Sequence, residues 1–134
     1  MHLEPIWQAP VQQQVYRELL DAFSYPGQVK KLNALIADHH ALHALLATLL
    51  DGESRLADTT GQLKATHWSL LQAQNFAVEQ AQFIVADGKQ STELHPNLGS
   101  LASPEHGATL ILMVDGFYSQ GHAVSLQLKG PGIA

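Results

Sequence analysis

The stretches Ala108–Asp115 (ATLILMVD) and His122–Lys129 (HAVSLQLK) decide how the chain is read. The first carries an unbroken apolar run from Leu110 to Val114, the pattern of a strand covered on both faces. The second alternates, with Val124, Leu126 and Leu128 on one side and Ser125, Gln127 and Lys129 on the other, as in a strand with one wet face. The linker Gly116–Gly121 (GFYSQG) is short and bounded by glycines, and Gly130-Pro131-Gly132 closes the second stretch. An antiparallel hairpin is the expected connection.

Upstream, the periodicity alternates between helix and strand. Val15, Leu19, Leu20 and Phe23 fall at helical spacing and predict a helix from Gln12 to Ser24, stopped by Tyr25-Pro26-Gly27. Gln28–Leu32 reads as a short strand. Asp38 caps a second expected helix, His39 to Leu50, with a continuous leucine stripe (Leu42, Leu45, Leu46, Leu49, Leu50) and Gly52 beyond its end. Glu53–Ala57 is a short expected strand, and a third helix is expected from Gln62 to Gln74. Ala81–Ala86 is a compact strand ended by Asp87-Gly88. The proline- and glycine-containing stretch Lys89–Gly107 reads as loop, with one helical turn around Leu98–Ala102. The whole predicts one α/β domain over residues 1–134, with helices packed on a mixed sheet.

Composition narrows the function classes. The 134 residues suffice for one domain with a real core, and 46% hydrophobic against 14% charged residues is globular usage. A formal net charge of −5, with no basic run beyond Lys30-Lys31, argues against nucleic acid as a partner. The absence of cysteine excludes disulfides and thiolate chemistry. The opening MHLEPIWQAP has neither a basic nor an apolar region, so no signal peptide is expected, and no apolar run is long enough to span a bilayer. A cytoplasmic protein without a membrane partner is the expectation.

Candidate chemistry is sparse. His39 and His43 stand four apart on a helix and are the best-placed metal ligands, but the glutamate of an H-E-x-x-H site is absent. His67 shares the apolar face of its helix with Leu63, Leu70 and Leu71, which suits a buried, hydrogen-bonded imidazole better than a general base. Asp51, Glu53, Asp58, Asp87 and Asp115 flank the expected strands, where carboxylates can do acid–base or magnesium chemistry, but with no sign of proximity among them the turn reading is preferred. Gly130-Pro131-Gly132 reads as a turn. No phosphate-binding, dinucleotide or nucleophile-elbow motif occurs, so the residues by themselves name an α/β domain and no reaction.

The order of segments adds what the single motifs lack. Val15–Leu32 (VYRELLDAFSYPGQVKKL), Leu45–Leu56 (LLATLLDGESRL), Ala81–Gly88 (AQFIVADG), Gly107–Val114 (GATLILMV) and Val124–Ala134 (VSLQLKGPGIA) together resemble PhnH, the H subunit of the bacterial carbon–phosphorus lyase system. The helix leading into Ser24-Tyr25-Pro26-Gly27 resembles that family's opening, and Leu126-x-Leu128-x-Gly130-Pro131-Gly132-Ile133 its middle. The resemblance runs from about Val11 to Ala134. It departs at Thr66–Gln74 (THWSLLQAQ), where the family's usual arginine is missing and His67 precedes the expected place. Family members also continue past the Gly-Pro-Gly-Ile turn, so the chain is expected to be part of something longer.

The resemblance implies a fold like that of pyridoxal-phosphate-dependent transferases, without their cofactor site. It further implies homodimers in isolation and a core complex with the G, I and J subunits. That complex couples an alkylphosphonate to the ribose of ATP with loss of adenine. No catalytic, cofactor-binding or metal-ligating residue is carried over, and no cofactor is expected. Trp7, Phe117 and Tyr118, aromatics in irregular segments, are expected to include interface anchors. Two alternatives remain open: an inactive remnant, or a stand-alone enzyme. The latter would hold pyridoxal phosphate on Lys89 or Lys129, or a metal on His39 and His43.

Overall fold

The computed structural model describes residues 4–32, 35–36, 40–89 and 93–114. They fall into two compact units, one running up to Leu49 and one starting at Leu50.

The first unit is helical. A 3-10 turn, Pro5–Trp7, leads into α1 (Ala9–Ser24). Pro10 lies in the first turn of α1, where its missing N–H has no helical partner to lose. The helix ends as expected at the Tyr-Pro-Gly stop, where the Tyr25 N–H bonds the Asp21 carbonyl (3.0 Å) and Gly27 takes φ +94°. Val15 is wholly buried, with Ile6, Ile36 and Ala44, and Val11, Leu19 and Trp7 pack around them. α2 (Ala41–Leu49) buries Leu42, Ala44 and Leu46. Thr48 Oγ1 donates back to the Ala44 carbonyl at 2.8 Å.

Two expectations need correction in this unit. Leu20 and Phe23 do not join Val15 and Leu19 in the core: with Tyr16 they form an exposed stripe at i, i+4 and i+7, Phe23 being 69% exposed. Gln28–Leu32 is not a strand. Its Val29 is exposed, Lys30 folds back to pair with Asp21 of α1, and Leu32 packs on the helical core instead of on a sheet.

The second unit carries the sheet. Its strands are β1 (Arg55–Asp58), β2 (Gln74–Asn75), β3 (Phe83–Asp87) and β4 (Thr109–Met113), in the order β2-β1-β3-β4. Every described pair is parallel: Arg55 faces Gln74, Ala57 faces Ile84, and Ile84 faces Leu110. α3 (Ala65–Leu71) crosses from β1 to β2. β3 lies between β1 and β4 and buries Ile84, Val85 and Ala86, the continuous apolar run expected of a parallel strand. Ile84 rests on Ala57 and Ala81, with Val78 and Ala108 beside them.

The mixed sheet is therefore corrected to a wholly parallel one among the described residues. The three connections that join these strands hold a helix, a 3-10 turn or a long loop, and such connections carry the chain back to the same end, which a tight hairpin does not. The second arm of the expected hairpin, His122–Lys129, its linker and the Gly130-Pro131-Gly132 turn lie outside the described residues. The expected double coverage of 108–115 is found on β3 instead. β4 occupies the edge of the described sheet and leaves Leu110 and Leu112 exposed at 44% and 51%. The helical turn expected around Leu98–Ala102 forms at Pro104–His106, where a proline starts it, and the likeness to pyridoxal-phosphate transferases finds no support in this topology.

Candidate functional site

Parallel sheets usually present ligands with the carboxyl ends of their strands. Here those ends carry Asp58 and Asp87, and both are engaged in shaping loops. Asp58 Oδ1 accepts the Thr60 N–H (2.9 Å) and hydroxyl (2.6 Å), and its Oδ2 accepts the Leu63 N–H (3.0 Å). The aspartate thus ties down the turn that enters α3, where Leu63 is buried. Thr59 reinforces the same turn by donating its hydroxyl to the Val85 carbonyl at 2.9 Å.

Asp87 Oδ1 accepts the Lys89 N–H at 2.9 Å, closing the turn after β3. Gly88 belongs in that turn because a Cβ there would stand 2.8 Å from Val114 Cγ1 and 3.2 Å from the Met113 carbonyl oxygen. The turn reading of these two carboxylates is the one the geometry favours.

The opposite, amino-terminal ends of β1, β3 and β4 open onto a depression of about 550 Å³. Asp51, Glu53, Ser54 and Arg55 line it from the β1 side, Gln82 from the start of β3, and Asn97 and His106 from the long loop before β4. Asp51 Oδ1 accepts the Glu53 N–H (2.9 Å) and the Ser54 hydroxyl (3.0 Å), while Ser54 Oγ accepts the Asp51 N–H (3.0 Å). The Glu53 N–H first, then the Ser54 hydroxyl, hold the Asp51 carboxyl below the usual carboxylate range.

The Arg55 N–H donates to Gln82 Oε1 at 3.0 Å, and its guanidinium lies 5.7 Å from the centre of the Phe76 ring. Asn97 Oδ1 accepts the Gly99 N–H at 2.8 Å, and its carbonyl accepts the Ala108 N–H at 2.7 Å. Gly99 takes φ +76°, and a Cβ there would lie 2.9 Å from the Pro104 carbonyl oxygen, so the loop closes on itself only with glycine at that position.

The other sequence candidates do not converge. His43 is half-buried on α2, His40 lies 3.6 Å from the Glu4 carboxylate, and His39 lies outside the described residues. Among the described residues no group of three His, Cys, Asp or Glu is arranged to hold a metal ion. Lys89 is exposed in the turn after β3, while Lys129, Asp115, Phe117 and Tyr118 lie outside the described residues. Trp7 is half-buried against the core of the first unit.

His67 is hydrogen-bonded, as expected, though half-buried rather than buried. Its Nδ1 accepts the Lys64 N–H at 3.0 Å and so caps α3 from the third helical position. Sequence reasoning missed Arg55, Gln82, Asn97 and His106. Two neutral amides, a lone arginine at a strand start and a histidine in a loop carry no spacing signal, and only the parallel register brings them together.

The fold and its two strand ends define an α/β protein built on a parallel sheet, and comparison with known sequences places it more closely. The chain belongs to the family of bacterial phosphonate metabolism proteins, PhnH, whose pattern residues 6–134 match. It is also similar to a curated protein of Stutzerimonas stutzeri named "Putative C-P lyase subunit protein HtxG", with 44% identity over 130 residues. That alignment takes in 96% of this chain and 63% of the relative, so the chain spans less than two thirds of the relative's length. Among the described residues no helix is long and apolar enough to cross a membrane.

Proposed function

We propose that this chain serves as the H-type subunit of a carbon–phosphorus lyase complex in phosphonate catabolism. The observation that carries the reading is the family match over residues 6–134, joined to 44% identity with a protein named as a C-P lyase subunit. In this reading the chain assembles with the G, I and J subunits in the cytoplasm. It is required there for coupling an alkylphosphonate to the ribose of ATP with loss of adenine, supplies no catalytic group itself, and pairs with a second copy when alone. The employment of Asp58 and Asp87 in loop geometry supports a scaffolding role, because the strand ends where a reaction centre is most often built hold carboxylates already engaged by backbone donors. Trp7, Phe117 and Tyr118 include the anchors of the subunit contacts.

Complementation tests the reading. A strain lacking its own PhnH, given this chain, grows on methylphosphonate as sole phosphorus source, and an affinity tag on the chain brings down the G, I and J subunits. Growth failing while the chain is present and folded would overturn the proposal, as would turnover of a phosphonate by the purified chain alone. Alanine at Trp7, Phe117 and Tyr118 together weakens the co-purification, and unchanged recovery of the partners removes these residues from the interface.

A further inference from the structure

α1 carries two apolar faces, and its own unit uses only one of them. Val11, Val15 and Leu19 hold the helix to its core. Tyr16, Leu20 and Phe23 stay 52%, 55% and 69% exposed, and they stand within about 60° of one another around the helix. Large side chains of about 200 Å² each, exposed to this degree, leave about 350 Å² of mostly apolar surface. Contiguous patches of that size mark contact sites.

The charges beside the stripe say what covers it. Arg17, Asp21 and Ser24 lie along one flank, whereas Gln12, Leu19 and Ala22 on the other flank bear no charge. Arg17 is exposed and has no ion-pair partner among the described residues. Asp21 gives its Oδ2 to Lys30, which leaves Oδ1 to accept a second donor. When two identical helices pack antiparallel about a two-fold axis, each flank meets the same flank of the other copy. Arg17 then comes level with the partner's Asp21, and Asp21 with the partner's Arg17. A parallel pair would set both against the uncharged flank instead.

The same register suits the apolar side chains. With the axis beside Leu20, Tyr16 lies opposite the partner's Phe23, and the two leucines meet at the centre. Doubled across the pair and widened by Gln13, Arg17 and Ser24, the contact comes to about 1,000 Å², the lower limit for a specific interface. We infer that α1 packs antiparallel on α1 of a second copy through Tyr16, Leu20 and Phe23, with two symmetric Arg17–Asp21 pairs. This rests on the pairing of copies proposed above and names the surface that performs it.

Sedimentation of the purified chain over a range of concentrations tests the surface. The wild type dimerises with a Kd of about micromolar order, as so small a contact requires. Leu20→Glu weakens the dimer at least about tenfold, with an unchanged circular dichroism spectrum because Leu20 lies off the core. Arg17→Glu and Asp21→Arg each self-associate several-fold more weakly, and mixing the two variants restores dimers, because each altered side chain then meets its opposite. A dimer untouched by Leu20→Glu leaves pairing intact and overturns this surface. Charge variants that do not recover on mixing overturn the antiparallel arrangement. A wild type that stays monomeric overturns the surface and the pairing together. If that monomer nevertheless recovers the G, I and J subunits and Leu20→Glu does not, the stripe belongs to a different polypeptide and the inference falls.

Discussion

Replacing Ile84 by alanine removes three carbons from a side chain that is 0% exposed at the centre of β3. At about 0.8 kcal/mol per buried methylene the transfer loss alone is about 2.4 kcal/mol. A cavity loss adds to it, and here the surroundings make that loss large. The neighbours packed with Ile84 in this core are Ala57 and Ala81, which have no rotamers with which to fill the space. The total comes to about 4 kcal/mol, in the upper part of the range for such truncations. Ile84→Val, one methylene smaller, costs about 1 kcal/mol. Leu110→Ala, at the sheet edge and 44% exposed, removes as many carbons but costs little more than about 1 kcal/mol, because nearly half of that surface is already wet. Urea unfolding followed by far-ultraviolet circular dichroism measures all three as shifts in midpoint at constant slope. A loss in Leu110→Ala equal to or above that in Ile84→Ala would refute the reasoning, since it would place the buried face of the sheet on β4 rather than β3.

Asp58→Ala leaves the Thr60 and Leu63 N–H groups without their acceptor and costs about 3 kcal/mol in the same assay, with Asp58→Asn intermediate because its amide nitrogen cannot accept the Leu63 N–H. Equal stability of wild type and Asp58→Ala would show that the turn does not depend on this carboxylate. Asp51 has a carboxyl held below its ordinary value of 3.8, so its contribution to stability is present above the unfolded value and is lost as pH falls through the lower folded one. Urea midpoints measured downward from pH 5 therefore drop less steeply in Asp51→Asn than in wild type, and parallel profiles would contradict the assignment.

The fold was legible in the sequence where a segment's own pattern sufficed. The Tyr25-Pro26-Gly27 stop, the strand entering Asp87-Gly88 and the leucine-rich second helix need no knowledge of the neighbours, because proline, glycine and periodicity act locally. Sheet topology was not legible, because strand direction depends on how the connections run, and β2 is only two residues long, too short to show a period. Solvent coverage failed for a related reason: ATLILMVD and AQFIVADG are both dense apolar runs, and only the strand order puts one at an edge and the other inside. The carboxylates at strand ends were read correctly as turn formers at Asp58 and Asp87. The depression at the other end of the sheet stayed hidden because its lining comes from segments far apart in sequence, as the Arg55 N–H donating to Gln82 Oε1 shows.

The described sheet is lopsided, and that gives any lengthening of it a direction. On one flank β2 offers only Gln74 and Asn75, too brief a template to recruit another strand. On the other, β4 turns the Thr109 N–H and the Met113 carbonyl toward the β3 side, to Gln82 and Gly88, so the alternating backbone groups of Leu110 and Leu112 point the opposite way. Polypeptide added to this sheet meets an accommodating rim only at β4, and one proline or lysine at Leu112 would blunt that rim as β2 blunts the other.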